Sequence, residues 1–190
     1  MDKRLAVFVS GKGTLLEAMI ADKINISLVL ADRECRGLHI AQEAGIPIEF
    51  LRRKDFCRGT AGFNRRDYTI AVVGELKRWG ICFVAMAGFM TILHPAIFED
   101  GYKDRILNTH PALLPSFKGD HAVRDALAYG VKVTGCTIHV ATENLDEGRI
   151  IAQEAVPVLP GDTEEILHER IKIIERVLYP RTIREFAETI

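Results

Sequence analysis

The chain has 190 residues, 48% of them apolar, and a formal net charge of −1. That length predicts one domain over residues 1–190, with ample apolar material for a core. The near-neutral balance excludes a general pull toward nucleic acid or an anionic membrane, so a small anion has to be held by a local site. The four cysteines, Cys35, Cys57, Cys82 and Cys136, form no Cys-x-x-Cys pair and no Cys/His ligand spacing. This excludes a disulfide framework and a structural zinc, and suits a reducing, cytoplasmic compartment. The first residues lead straight into an apolar run too short to span a membrane and without a small-residue cleavage site.

Leu5 to Val9 is continuously apolar and reads as a buried strand. Ser10-Gly11-Lys12-Gly13-Thr14 breaks it, and Leu15 to Ala21 reads as a helix. A strand at Ser27–Ala31, a helix at Leu38–Ala44 and a strand at Pro47–Leu51 follow. Asp55 to Gly62 is a polar loop; Asn64 opens a helix through Trp79, with Gly80 as its stop. Ile81 to Ala87 is the most apolar strand, and Thr91 to Phe98 a short turn or helix. Arg105 to Asn108 is the next strand, and His121 to Tyr129 a helix stopped by Gly130. Val133–Ala141 and Ile150–Val156 have only a loop between them and predict an antiparallel pair. The last helix starts at Pro160-Gly161-Asp162, with Asp162 as N-cap and Glu165 completing a capping box. Its stripe is Ile166, Arg170, Ile173, Ile174 and Val177. Strand–helix alternation through residue 130 or so predicts an α/β fold: a Rossmann-like, mostly parallel sheet flanked by helices, with a late antiparallel hairpin.

Two stretches carry chemistry. In the first, Gly11 and Gly13 let backbone approach a ligand, and the helix N-terminus after them attracts an anion. Lys12 and the Thr14 hydroxyl add to this. The order is wrong for a Walker loop, and Leu16 stands where a dinucleotide fingerprint needs a third glycine. Phosphate binding leads; a ligand-free turn and a degenerate dinucleotide site, with Asp32 as its acid, are the alternatives.

In the second, Leu107-Asn108-Thr109-His110-Pro111, an amide and an imidazole stand two residues apart at a strand end and share a face. Ligands of parallel sheets bind at such ends. Asn108 and a protonated His110 could stabilise an oxyanion, each donor being worth about 3 kcal/mol. Asp146, in Glu143-Asn144-Leu145-Asp146-Glu147-Gly148, is the candidate to hold the imidazole and favour its charged form; an ordinary turn aspartate is the equal alternative. No serine, threonine or cysteine sits in a nucleophile elbow, so the substrate brings its own nucleophile.

Ala87-Gly88-Phe89-Met90, Leu107 to Pro115, and Gly135-Cys136-Thr137-Ile138-His139-Val140 running on to Gly148 resemble the folate-dependent formyltransferase superfamily, over nearly the whole chain. Within it, the similarity is to enzymes that formylate glycinamide ribonucleotide in purine biosynthesis. The resemblance implies a direct attack of the substrate amine on the formyl carbon of 10-formyltetrahydrofolate, without metal or acyl-enzyme. Asn108 and His110 would stabilise the tetrahedral oxyanion, and Asp146 would keep His110 protonated and order a relay water. Gly11 to Leu15 would hold the ribonucleotide phosphate, with Lys172 and Glu175 at the glycinamide or ribose end; a solvated i,i+3 pair is the plain alternative for those two. Met90, Thr91, Ile92 and Leu93, together with Thr142, Glu143, Asn144, Leu145, Asp146 and Asn108, would frame the folate site, and Arg66 would contact the folate. His139 matches a recurrent histidine, structural or catalytic.

Some positions depart from the pattern. Leu15 replaces a side-chain amide in the phosphate loop, Thr91 a frequent arginine, and Asp120 an apolar residue. The resemblance also implies a cis Leu114–Pro115 bond. Its partners would be small molecules, not nucleic acid or membrane, with the chain a monomer or homodimer. Formyltetrahydrofolate hydrolase is the main alternative, although a regulatory domain would be expected before Leu5. A methionyl-tRNA formyltransferase would need a further basic domain, and a nucleotide-sensing module would have lost the three catalytic groups.

Overall fold

The computed structural model describes residues 3–59 and 62–190. Met1 and Asp2, and Thr60 and Ala61 in the expected polar loop, lie outside the described residues. The chain divides into two compact units, one ending at Ile106 and the other comprising Leu107–Ile190.

The first unit is built on four parallel strands in the order β3-β2-β1-β4: β1 (Leu5–Val9), β2 (Ile26–Ala31), β3 (Ile48–Phe50) and β4 (Phe83–Met86). Every residue of β1 is buried, which is why its sequence is apolar without alternation. Between the strands come α1 (Thr14–Ala21), α2 (Arg36–Glu43) and α3 (Arg65–Arg78). Asn64 caps α3, its Oδ1 accepting from the Asp67 N–H at 3.0 Å. β4 is shorter than its apolar run predicts, because Ile81 N–H still closes α3 on Leu76 O at 2.8 Å. The turn or helix expected at Thr91–Phe98 forms in its second half, where Ile97 N–H donates to His94 O at 3.2 Å and Phe98 N–H to Pro95 O at 2.9 Å, and runs on into a distorted turn over Phe98–Tyr102.

In the second unit, β5 (Ile106–His110), which begins at the division, runs past its expected end through Thr109 and His110. It pairs antiparallel with β6 (Val133–Val140), and β6 with β7 (Ile150–Pro157). The late antiparallel pair is therefore present, and β5 joins it. Gly135 is required there: a Cβ would lie 2.1 Å from Glu154 O and 2.8 Å from Leu113 Cδ2. Leu114–Pro115 is cis. The turn carrying it is pinned to β6 by Thr137, whose hydroxyl donates to Ala112 O at 2.7 Å and accepts from Leu114 N–H at 3.0 Å. α4 (Ala122–Tyr129) and α5 (Glu164–Thr189) complete the unit.

Two expectations about α5 are corrected. Its cap is Thr163, whose hydroxyl accepts from Ile166 N–H at 3.3 Å. Asp162 instead accepts from Leu159 N–H at 2.8 Å and takes a bidentate bond from Arg170 at 2.6 and 2.8 Å, so no capping box forms. The buried stripe is Leu167, Ile171, Leu178, Ile183 and Phe186, while Ile166, Ile173 and Val177 are 51–69% exposed. The helix is apolar on two faces, so periodicity left two choices one residue apart. Tyr179 helps decide between them, its hydroxyl donating to Leu107 O at 3.0 Å. Burying each large apolar side chain on that stripe contributes about 1.5–3 kcal/mol. Seven strands interleaved with helices, parallel in the first unit and antiparallel in the second, give the α/β, Rossmann-like class expected from the alternation.

Candidate active site

In the first unit, the carboxyl ends of β1, β2 and β4 carry the candidate binding groups. Gly13 caps α1 in a left-handed conformation, φ 72°. A Cβ on it would meet Ile40 Cδ1 at 2.7 Å and Gly37 Cα at 2.9 Å, whereas one on Gly11 would meet nothing within 4 Å. Gly13 is thus demanded by packing against α2, and Gly11 faces open space. No side chain caps α1, so its first amides, at Thr14 and Leu15, stay available to an anion. The Leu15 side chain is buried, leaving only its backbone for a ligand. Lys12 is exposed and has no carboxylate partner among the described residues. The nearby acid, Glu17, is neutralised by Arg36, which also donates to Lys12 O at 3.2 Å.

The segment after β4 alternates. Met90 and Ile92 are 61% and 56% exposed, while Thr91 and Leu93 are buried. The Thr91 hydroxyl donates to Asp32 Oδ2 at 2.6 Å, and Arg33 donates to both Asp32 oxygens at 3.0 and 2.9 Å. Burial drives the Asp32 carboxyl upward, but the bonds from Arg33, Thr91 and Ser10 outweigh it and hold it below its ordinary value. A carboxylate so committed has no free oxygen for a ribose, which removes the acid of the dinucleotide alternative. Likewise the Thr91 hydroxyl is spent inside the protein. Ser10 ties the same segment down, its Oγ accepting from Met90 N–H at 2.8 Å. Arg66, in the first turn of α3, is exposed.

In the second unit, Asn108 and His110 are two apart on β5, and β6 sets His139 opposite Asn108 and Thr137 opposite His110. Asn108 Nδ2 lies 3.3 Å from His139 Nε2, and His139 Nδ1 3.1 Å from Val140 O. His139 Nδ1 faces an acceptor in that carbonyl, while its Nε2 faces the Asn108 amide and the Asp146 carboxylate together. Asp146 reaches both imidazoles: Oδ2 is 3.4 Å from His110 Nδ1, and Oδ1 is 3.6 Å from His139 Nε2. Gly119 N–H donates to Asp146 Oδ2 at 2.8 Å.

His110 Nε2 lies 2.7 Å from Phe117 O. Both ring nitrogens of His110 therefore face acceptors. Burial raises the Asp146 carboxyl, but the His139 ring, the Gly119 N–H and the His110 ring hold it below its ordinary value. The cluster is thus a carboxylate between two imidazoles, with an amide donor at its edge. His110, His139 and Asp146 are all buried.

Asp146 sits at φ 56°, and the loop closes because Gly148 lets the backbone pass: a Cβ there would be 1.7 Å from Val140 O. Thr142, Glu143, Asn144 and Leu145 are exposed around it, with Thr142 donating to Asn144 O at 3.0 Å. The solvated Lys172–Glu175 pair does not form. Lys172 pairs with Glu169 at 2.8 Å, and Glu175 is buried, accepting the Thr109 hydroxyl at 2.5 Å. Burial pushes the Glu175 carboxyl above its ordinary value, against the pull of Thr109, Lys172 and Arg176. Thr109, Phe117 O and Gly119 N–H escaped the sequence reading. The β-strand alternation that paired Asn108 with His110 could have flagged Thr109 on the other face; the two backbone groups leave no residue-type signal.

A family model described as formyl transferase matches residues 3–183. The phosphoribosylglycinamide formyltransferase of Mycobacterium tuberculosis is 43% identical over 189 residues, 97% of this chain and 85% of that one. The human trifunctional purine biosynthetic protein adenosine-3 is 39% identical over 95% of this chain, which matches 18% of that much longer protein. Among solved structures, glycinamide ribonucleotide transformylase 1 from Symbiobacterium toebii superposes with a TM-score of 0.89 at 39% identity, covering 98% of this chain and 88% of that one.

Proposed function

Starting from the chain's membership of the formyl transferase family, we propose that it transfers the formyl group of 10-formyltetrahydrofolate to the amine of glycinamide ribonucleotide, in purine biosynthesis. The observation that carries this reading is the cluster of half-buried Asn108 with buried His110, His139 and Asp146: it holds donors for an oxyanion and a carboxylate for protons, but no protein nucleophile.

The amine nitrogen attacks the formyl carbon, and the carbonyl oxygen takes the negative charge. Asn108 Nδ2–H and the His110 imidazolium stabilise it; the Nε2–H that now serves Phe117 O is the one free to turn to the oxyanion, while Nδ1–H stays toward Asp146. The attacking ammonium loses a proton toward Asp146 through water. The carbon–N10 bond then breaks as N10 gains a proton, leaving formylated product and tetrahydrofolate. Pre-organised donors in a buried site need little reorganisation as the charge develops.

Gly11, Gly13, Lys12 and the amides of Thr14 and Leu15 are the proposed phosphate site. Lys172 and Glu175 serve the acceptor, with Glu175 offering a carboxyl to its amine or ribose. Arg66, Met90, Thr91 through its backbone, Ile92, Leu93 and the loop Thr142 to Asp146 serve the folate. The chain would act as a monomer or a homodimer. The four unpaired thiols suit the cytoplasm, and among the described residues no helix is long and apolar enough to cross a membrane.

The test is formyl transfer from 10-formyltetrahydrofolate, with and without glycinamide ribonucleotide. Transfer to the acceptor is expected, and it should fall to background in His110→Ala. Release of formate at the same rate without acceptor would point to a hydrolase, and substantial transfer by His110→Ala would remove His110 from its role.

A further inference from the structure

Thr109 stands between Asn108 and His110 on β5, so strand alternation turns it to the opposite face. There it meets α5, and its hydroxyl donates to Glu175 Oε1 at 2.5 Å. One helical turn further on, the Tyr179 hydroxyl donates to Leu107 O at 3.0 Å. Two residues of strand span about 6.8 Å and four residues of helix about 6 Å. The two bonds are therefore in step, with α5 running antiparallel to β5. Tyr179 and the buried stripe of Leu167, Ile171 and Leu178 already fix the helix, which leaves the Thr109 hydroxyl to serve the carboxyl.

Glu175 needs that donor. It is buried, and a buried carboxylate without a hydrogen bond is costly. The cations on its own helix do not supply one, since Lys172 and Arg176 bond Glu169 at 2.8 and 3.3 Å. From β6 it faces Cys136, whose thiol is pushed up to about 12 by burial and by the carboxylates of Glu175 and Glu154; that group stays uncharged near neutrality. Among the described residues, Thr109 is thus the hydrogen-bond donor to Glu175. Burial raises the Glu175 carboxyl, and the Thr109 bond opposes the rise.

The bond takes one oxygen and leaves the other. Glu175 Oε2 has no partner among the described residues, yet it is not one of the sealed, unbonded polar atoms there, which are Tyr68 Oη, Thr134 Oγ1 and Arg176 Nε. Solvent or a ligand therefore reaches it. β5 ends at His110, so both of its faces open on the same strand end.

We propose that Thr109 is a positioning residue of the acceptor site: by holding Glu175 Oε1 it turns Oε2 outward, to accept a hydrogen bond from the amine or a ribose hydroxyl of glycinamide ribonucleotide. This rests on the proposed role of Glu175 toward that acceptor. Neighbouring residues of one strand then serve the two halves of the reaction, Asn108 and His110 the formyl carbonyl and Thr109 the acceptor.

The test is steady-state formyl transfer by the full chain, with the ribonucleotide varied across pH, in Thr109→Val and Thr109→Ser. Thr109→Val keeps the volume and loses the donor. KM for the ribonucleotide should rise about tenfold, near the lower end of what a hydrogen bond to a charged group contributes, while kcat holds. The rise of that KM in acid should also begin at higher pH than in the wild type, because the carboxyl has lost the bond that favours its ionised form. Thr109→Ser should restore both. In Glu175→Gln no carboxyl titrates at this place, so adding Thr109→Val should move no pH limb. The proposal is overturned by an unchanged KM in Thr109→Val, by a loss that falls in kcat instead, by a Thr109→Ser that fails to restore KM, or by a pH shift that persists beside Glu175→Gln. An inert wild type would sink the reading of the reaction and the proposal with it, whereas transfer insensitive to Thr109→Val sinks the proposal alone.

Discussion

The glycine loop of the first unit and the Asn108–Asp146 cluster of the second both offer a place for negative charge, by opposite means. At the loop the side chains are withdrawn: Leu15 is buried, Gly11 has no Cβ, and Glu17 is paired with Arg36. What remains is backbone N–H at a helix end. In the cluster the backbone pairs strands and, at Phe117 O and Gly119 N–H, holds side chains in place, while side chains from β5, β6 and the Asp146 loop supply the candidate groups. A backbone site holds a charge that is already present, whereas a side-chain cluster can also move protons. The difference predicts that damage to the loop appears in KM and damage to the cluster in kcat.

The largest effect is expected from Asp146→Asn. The asparagine Oδ1 can still accept Gly119 N–H, so the loop keeps its anchor while the charge is lost. The rate of formyl transfer should fall about 10²- to 10³-fold, with KM for the ribonucleotide nearly unchanged in steady-state kinetics. A matching rise in that KM would erase the contrast between the two regions. The same variant has a stability signature. The folded carboxyl is held below its ordinary 3.8, so its contribution is present above that pH and is lost as pH falls through the lower folded value. Denaturant titrations should therefore show any advantage of the wild type over Asp146→Asn shrinking in acid.

Next comes Gly148→Ala. The added Cβ would meet Val140 O at 1.7 Å, a backbone atom that cannot step aside without opening β6. The cost should be about 2–4 kcal/mol, read as a lower denaturation midpoint. The loop's two glycines then separate fold from binding. Gly13→Ala is strained by its φ of 72° and its contact with Gly37, and should cost about 1–3 kcal/mol. Gly11→Ala meets nothing, so stability should move by no more than about 0.5 kcal/mol, while KM for the ribonucleotide rises as the new methyl fills the space offered to phosphate. If Gly11→Ala leaves that KM alone, the loop is a plain strand-to-helix turn.

This contrast also explains what could be read from sequence. The parallel half of the fold was legible because β1, β2 and β4 are buried on both faces and separated by helices, each element leaving its own periodicity. The face of α5 was not, since Ile166, Ile173 and Val177 imitate a core stripe one residue from the true one. Asn108 and His110 were legible from period-two geometry. Asp146 was undecidable between turn and catalyst, because what distinguishes it is its 3.4 and 3.6 Å approaches to two rings, distances set by the pairing of β5 with β6. Phe117 O and Gly119 N–H were beyond reach, since every residue has such groups and only the tertiary path selects them.

Glu175 belongs to neither pattern, and the smallest predicted effect uses it to sharpen both. It is a buried acid beside Thr109, on a helix whose half-buried Lys172 and Arg176 bond Glu169 instead. Burial raises its folded pKa above the ordinary 4.5. Over the interval between those values the native state keeps a proton that the unfolded chain has released, so stability declines as pH rises through the folded value. Ionising this buried carboxylate costs stability. Glu175→Gln removes that charge, and its Oε1 can still accept the Thr109 hydroxyl. The variant should therefore melt slightly higher than wild type at pH above the folded value, with the advantage fading as pH is lowered from that value toward 4.5, while KM for glycinamide ribonucleotide rises. A lower melting temperature above the folded value would mean that the carboxylate serves the fold. A higher one with weakened acceptor binding would mean that its cost is retained for the ligand, as expected of a group placed for function rather than stability.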